Sequence, residues 1–243
     1  MSEDRRAPTT DTAAGRPASD HLLAWGVVGV IAQMAFMAGW LIAETWQGPR
    51  YSSIKYTISD LQAATAPHVW FPVTCFAVGG LGTFGFAVFG LRPALAGARK
   101  VAPYAAWMLA FAALALGNSF PLVPFRLVDP GASAHAQLFS PGGMTDAIVS
   151  SIAFLVLVLT PFPLWRRLAT LPEWRRLKPV MMGARVLGPL CFTLLGLSPG
   201  GGSVQGLLER ILATVCVLWI FALAINLIIT SRQTRSVSPS GVG

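Results

Sequence analysis

Hydroxyls and charges crowd into one stretch, Tyr51–Leu61 (YSSIKYTISDL), which separates two long apolar runs. Ser52, Ser53 and Ser59 stand beside Asp60, and His68 and His135 follow along the chain. Nucleophilic catalysis needs a hydroxyl within reach of a base, and acid–base catalysis needs a titratable group held against the reacting atom. Asp60, His135 and Glu209 are the candidates for those roles. A metal site would have to draw on His68, His135 and Asp60 or Asp129. No His-x-x-x-His or Glu-x-x-His pair sets two of them on one helix face, so no metal centre is expected and no cofactor is implied.

The elements that must position these residues belong in lipid. The chain of 243 residues is 54% hydrophobic and 12% charged, whereas charged residues make up about a quarter of an ordinary soluble domain. Its net charge of +8 does not point to nucleic acid, because the basic residues sit in short clusters at the ends of apolar runs rather than along a solvated face. Cys75, Cys191 and Cys216 lie inside apolar segments with no close-spaced partner and read as small buried hydrophobes. Residues 1–20 and 231–243 lack apolar periodicity and read as disordered cytoplasmic tails around a single domain, residues 21–230. The first apolar run is too long for the core of a signal peptide.

A membrane-spanning helix needs about 20 mainly apolar residues, and continuous apolarity without alternation favours helices over barrel strands. Six stretches qualify: Leu22–Ala43, Val69–Leu91, Pro103–Phe125, Asp146–Trp165, Val180–Leu197 and Leu207–Thr230. The expected fold is therefore all-α, a polytopic transmembrane bundle of six helices. Fourteen Lys and Arg fall in the tails and even-numbered loops, against Arg50, Lys55, Arg126 and Arg210 on the other side. By the positive-inside rule both termini are expected in the cytoplasm of a multi-pass protein of the cell membrane.

Local chemistry adds detail. Pro121 and Pro124 cannot donate backbone hydrogen bonds, so the third helix should unwind at its outer end and face protein or water there. Asp146 is expected in the first turn of the fourth helix, where a carboxylate favours the dipole. Trp174, in the basic loop Arg166–Lys178, is expected at headgroup depth. Ser198-Pro-Gly-Gly-Gly-Ser203 lacks the Lys-Ser/Thr of a phosphate-binding loop and reads as a turn.

The outer side then holds both signs of charge: Glu44, Arg50, Lys55, Asp60, His68, Arg126, Asp129, His135, Asp146, Glu209 and Arg210. Ionisable groups near the membrane are costly and either pair or face water. Ser52, Ser59, Asp60, Arg126, Asp129 and Arg210 are the candidate ligand-binding residues of an outward-facing polar pocket for a lipid headgroup or small molecule. A set of ion pairs that merely pins loops to the bundle accounts for the same residues equally well. The second functional reading is an enzyme acting on a lipid-borne substrate at the outer leaflet, with Asp60 or Glu209 as acid or base and His135 assisting. A small transporter is the third, although the helix centres carry almost no charge. Membrane lipids are the expected partners and nucleic acid is not.

Tyr51-Ser52, Thr57-Ile-Ser-Asp-Leu61, Phe120-Pro121 followed by Asp129 and His135, and Gly206-Leu-Leu-Glu-Arg-Ile211 together form a pattern that resembles a bacterial membrane family, domain of unknown function 998. The resemblance runs from about Leu22 to Ile228. It implies a six-helix integral membrane protein with no agreed activity, and it matches at Ser52, Ser59, Asp60, Asp129, His135, Glu209 and Arg210. Here Asp129 stands eight residues after Pro121 and no second His follows His135, which departs from the family form and weakens a two-histidine role.

Overall fold

The computed structural model describes residues 15–96, 102–117, 120–198 and 203–237, and over them it is all-helical with no strand. Helix α1 (Gly15–Ala43) ends in a 3-10 turn, Glu44–Trp46, and a second such turn, Ser59–Gln62, interrupts the loop that follows. Helix α2 (Trp70–Gly85) continues through a π-helical segment (Phe86–Leu91) into α3 (Arg92–Leu95). Then come α4 (Ala102–Leu116), the short α5 (Ala134–Leu138), α6 (Pro141–Leu159), α7 (Pro161–Leu168), a 3-10 stretch at Pro172–Leu177, α8 (Lys178–Leu197) and α9 (Gln205–Val237).

Among the described residues, five segments are long and apolar enough to cross a membrane: Asp20–Trp46, Trp70–Leu95, Pro141–Leu168, Pro172–Leu197 and Gln205–Thr234. Tyr104–Leu116 is apolar but shorter. The third expected span therefore differs from its sequence outline, since the helix stops at Leu116 and Phe120–Phe125 is irregular. The unwinding expected from Pro121 and Pro124 is what occurs there. The carbonyls it releases are met by protein: Val123 accepts from the Ala64 amide at 2.8 Å and Phe125 from Gln137 Nε2 at 2.6 Å. At the termini, α1 already begins at Gly15 and α9 runs on to Val237, inside both segments expected as tails. Residues 1–14 and 238–243 lie outside the described residues.

Helix α1 lies along both α2 and α9, α8 packs on α9, and α4 sits between α2 and α6. Gly80 and Gly117 allow the closest approach: a Cβ on Gly80 would stand 2.6 Å from the Gly117 Cα, so α2 and the end of α4 meet backbone to backbone. Phe76, Phe86, Leu109 and Trp219 fill the core. Ile31 and Met34 on α1, Ile148 and Ile152 on α6, and Val186 and Leu190 on α8 face outward, as lipid-facing side chains do. Within the apolar layer, Gln33 Nε2 donates to the Thr83 hydroxyl at 2.7 Å, so two buried polar groups on α1 and α2 satisfy each other.

At the arginine-rich end, Arg167 is buried and caps α3 by donating from Nη2 to the Leu95 carbonyl at 3.0 Å. Trp174 is 2% exposed and belongs to the core cluster. The 3-10 stretch around it folds back against α9 and carries the indole inward.

Candidate functional site

The polar loops gather at the opposite end of the bundle, and Arg210 is their hub. Its guanidinium donates from Nη1 to the carbonyls of Ser53 and Tyr56, each at 2.8 Å, and to Gly206 at 3.1 Å. Nη2 donates to the Tyr51 hydroxyl at 2.7 Å, and Nε pairs with Glu44 at 3.2 Å. The Trp40 ring lies beneath the cation at 5.6 Å. One side chain of α9 thereby ties loop Tyr51–Tyr56 to the end of α1. Burial is the leading cause that pushes the Tyr51 phenol up, with Arg210 opposing it. Gly206, one turn before Arg210, lets the helix start directly against this loop, because a Cβ there would strike the carbonyl oxygens of Tyr56 and Ser53.

A second cluster is a clamp between loops. Arg126 reaches Asp129 Oδ1 through Nη2 at 2.7 Å and Nε at 3.0 Å, and Nη1 reaches Gln47 Oε1 at 3.1 Å. Thr65 donates its hydroxyl to Asp129 Oδ2. Desolvation alone would push the Asp129 carboxyl up, but the Thr65 and Arg126 hydrogen bonds outweigh it and hold the group below the usual carboxylate range.

Asp60 lies between this clamp and the bundle and is 1% exposed. Its Oδ1 accepts from the Leu127 amide at 3.1 Å and from Gln137 Nε2 at 2.9 Å, while Oδ2 has no hydrogen-bond partner among the described residues. Burial pushes its carboxyl above the ordinary value despite those donors. Neither nearby guanidinium hydrogen-bonds Asp60, because Arg126 is engaged by Asp129 and Arg210 by Glu44.

The third feature is a cavity of about 500 Å³ at the same end. Helices α6 and α8 touch where Gly188 faces Val158, at an ordinary van der Waals distance of 3.5 Å for a Cβ, and the cavity opens beyond that contact. Pro189 follows Gly188 and leaves the α8 hydrogen-bond ladder one donor short at this pivot. Polar walls come from Ser59, Gln137, Asp146, Ser150 and Glu209, and apolar walls from Leu138, Phe139, Phe154, Phe192 and Leu195. The buried Glu209 accepts from the Ile58 amide at 2.8 Å, and Ser59 and Asp146 line the same wall. His135 lines the mouth, exposed and against Phe139 with ring centroids 4.5 Å apart.

The predicted residues therefore separate. Ser59, His135 and Glu209 share the cavity, Asp60 sits behind it, and Arg126, Asp129 and Arg210 serve the two clamps. Ser52 contributes its carbonyl to a turn, accepting from Tyr56 at 2.8 Å. Asp146 is the residue that sequence reasoning explained away. Ser140 caps α6 by accepting from the Gly143 amide at 3.0 Å, and Pro141 follows at the first helical position. Asp146 thus falls in the second turn and on the cavity side. The Ser-Pro pair was the available signal. His68 faces Trp46 with ring centroids 5.0 Å apart, and among the described residues no three His, Cys, Asp or Glu side chains converge as metal ligands do.

A family model described as "Protein of unknown function (DUF998)" matches residues 30–226. No curated protein and no solved structure matches the chain.

Proposed function

Because the chain belongs to the DUF998 family, a family of membrane-type helices to which no activity is attached, we propose a role from the cavity itself: it holds the polar end of a membrane amphiphile. The observation that carries this reading is the wall composition of the space between α6 and α8. Carboxylates and hydroxyls line its depth, while Leu138, Phe139, Phe192 and Leu195 line it from the sides that also carry lipid-facing residues. Exposed Ser151 on α6 and Gly196 on α8 form part of the rim, so a headgroup enters from the side with its chains left against Leu155 and Leu194. In this reading the chain crosses the membrane six times, with Tyr104–Leu116 as the short third crossing, and both termini are cytoplasmic. The excess of fourteen Lys and Arg in the tails and even-numbered loops over four in the other loops supports that orientation.

The test is retention of lipid. Protein extracted in mild detergent should carry a stoichiometric polar lipid by native mass spectrometry, and Ser150→Trp, which fills the cavity, should lose it without a fall in melting temperature. Equal lipid retention by wild type and Ser150→Trp would rule the reading out.

One juxtaposition favours a second reading, an enzyme acting on a lipid-borne substrate: the Ser59 hydroxyl and the Asp146 carboxyl share the cavity wall with Glu209 and His135. Such an enzyme would lose turnover of a lipid ester in Ser59→Ala while still binding the lipid. Turnover unchanged in that variant would exclude Ser59 as nucleophile.

A further inference from the structure

Behind the cavity lies a chamber of about 30 Å³, large enough for one water-sized group. It shares Ser59, Asp146, Ser150, Phe154 and Glu209 with the larger space, so the two lie side by side along those residues. Its inner wall includes Gln62, which is 8% exposed and whose Oε1 has no hydrogen-bond partner among the described residues. A buried amide oxygen left unpaired is costly, and it calls for a donor that the protein itself does not supply.

The charge around this chamber has one sign. Asp146 and Glu209 line both spaces, and among the described residues no Lys or Arg lines either. The nearest guanidinium in sequence, Arg210, spends its donors on Glu44, Tyr51 and three carbonyls. The charged groups of the chamber are thus carboxyls, with Gln62 Oε1 beside them as an unpaired acceptor.

We propose that this chamber is a subsite for a primary ammonium group, the terminal –NH₃⁺ of an amphiphile whose remainder occupies the larger cavity. The inference rests on the amphiphile-binding reading and names the chemistry that the site selects. A primary ammonium carries three donors, no acceptor and a positive charge in about the volume of a water molecule. A trimethylammonium group has no N–H to give and is too wide for the chamber. A phosphate placed there would set lone pairs against carboxylates, and a hydroxyl, with a single O–H and no charge, would satisfy only one of the acceptors. The phosphate of an aminolipid instead stays toward the mouth, where His135 stands.

The full-length protein in detergent is titrated with phosphatidylethanolamine, phosphatidylcholine and phosphatidylglycerol of identical acyl chains, with free ethanolamine as competitor, and binding is read by native mass spectrometry. The ethanolamine lipid should bind at least tenfold more tightly than the other two. Gln62→Leu, and separately Glu209→Gln, which retains an acceptor for the Ile58 amide, should bring that preference to within about twofold. Either variant reproducing the effect suffices if the other does not fold. Competition by millimolar ethanolamine would identify free amines as ligands too, and its failure would assign the ammonium to a lipid. Equal affinity for the three lipids overturns the ammonium subsite and leaves amphiphile binding standing. Binding of ethanolamine without saturable binding of any lipid overturns the amphiphile reading and keeps the subsite. No binding of either overturns both.

Discussion

Arg210 and Glu44 meet at 3.2 Å across 166 residues of sequence, and through this pair the start of α9 is locked to the end of α1. The ion pair is one of several bonds that the same guanidinium makes to loop Tyr51–Tyr56. Removing the cation leaves Glu44, the Tyr51 hydroxyl and two loop carbonyls without their donor. Arg210→Met should therefore destabilise the protein by about 3 kcal/mol or more, the scale for breaking a buried pair from one side. Arg210→Lys should recover only a minor part, since an ammonium cannot span the same fork. Thermal unfolding in detergent measures both.

Gly206 provides a steric counterpart. Gly206→Ala drives a Cβ into the Tyr56 and Ser53 carbonyl oxygens, which are backbone and cannot yield, so a loss of about 1–3 kcal/mol is expected. A Cβ on Gly183, in α8, would meet nothing within 4 Å, and Gly183→Ala should be neutral or gain up to about 1 kcal/mol from helix propensity. Similar melting shifts for the two would contradict the packing at the start of α9.

Asp129 gives one sign of pH dependence. Its carboxyl is held below the usual range by Thr65 and Arg126 against the pull of desolvation, so it contributes stability above the ordinary carboxylate range and loses it as pH falls through its folded value. Asp129→Asn should cost roughly 1 kcal/mol near neutrality, the scale of a partly exposed pair, and should flatten the acid limb of a plot of melting temperature against pH.

Asp60 gives the opposite sign. Burial raises its carboxyl above the ordinary value of 3.8, so the unfolded chain releases that proton first and stability falls as pH rises from there to the folded value. In Asp60→Asn this decline should vanish while the Leu127 and Gln137 donors keep an acceptor. A catalytic Asp60 would show, in addition, as lost turnover in Asp60→Asn.

Orientation is testable in a cysteine-free background. Lys55→Cys should react with a membrane-impermeant maleimide in intact cells, and Arg175→Cys only after permeabilisation, because both side chains are exposed at opposite ends of the bundle. The reverse pattern would place the cavity on the cytoplasmic side.

The long apolar helices and the polar character of one end were legible from hydropathy and charge, since spans follow from unbroken apolar length. How the outer charges divide was not. Glu209 and Arg210 are neighbours in sequence, but successive residues on a helix point about 100° apart, so one faces the cavity and the other the loop. Gln62 and Gln137 escaped notice because neutral amides carry no charge signature, and their use depends on a 3-10 turn and a short helix that have no apolar period. The burial of Trp174 against protein was not legible for a related reason: it depends on the fold-back of Pro172–Leu177, which has no apolar period.

Gly188 and Val158 mark where two walls of the cavity differ in kind. The α9 side is held to the preceding loop by the Ile58–Glu209 bond and the Arg210 contacts, while the α6–α8 side is helix packing, in which a Cβ at position 188 would meet Val158 at an ordinary 3.5 Å. A larger side chain at position 188 would therefore press on the α6–α8 wall and leave the hydrogen-bonded wall in place.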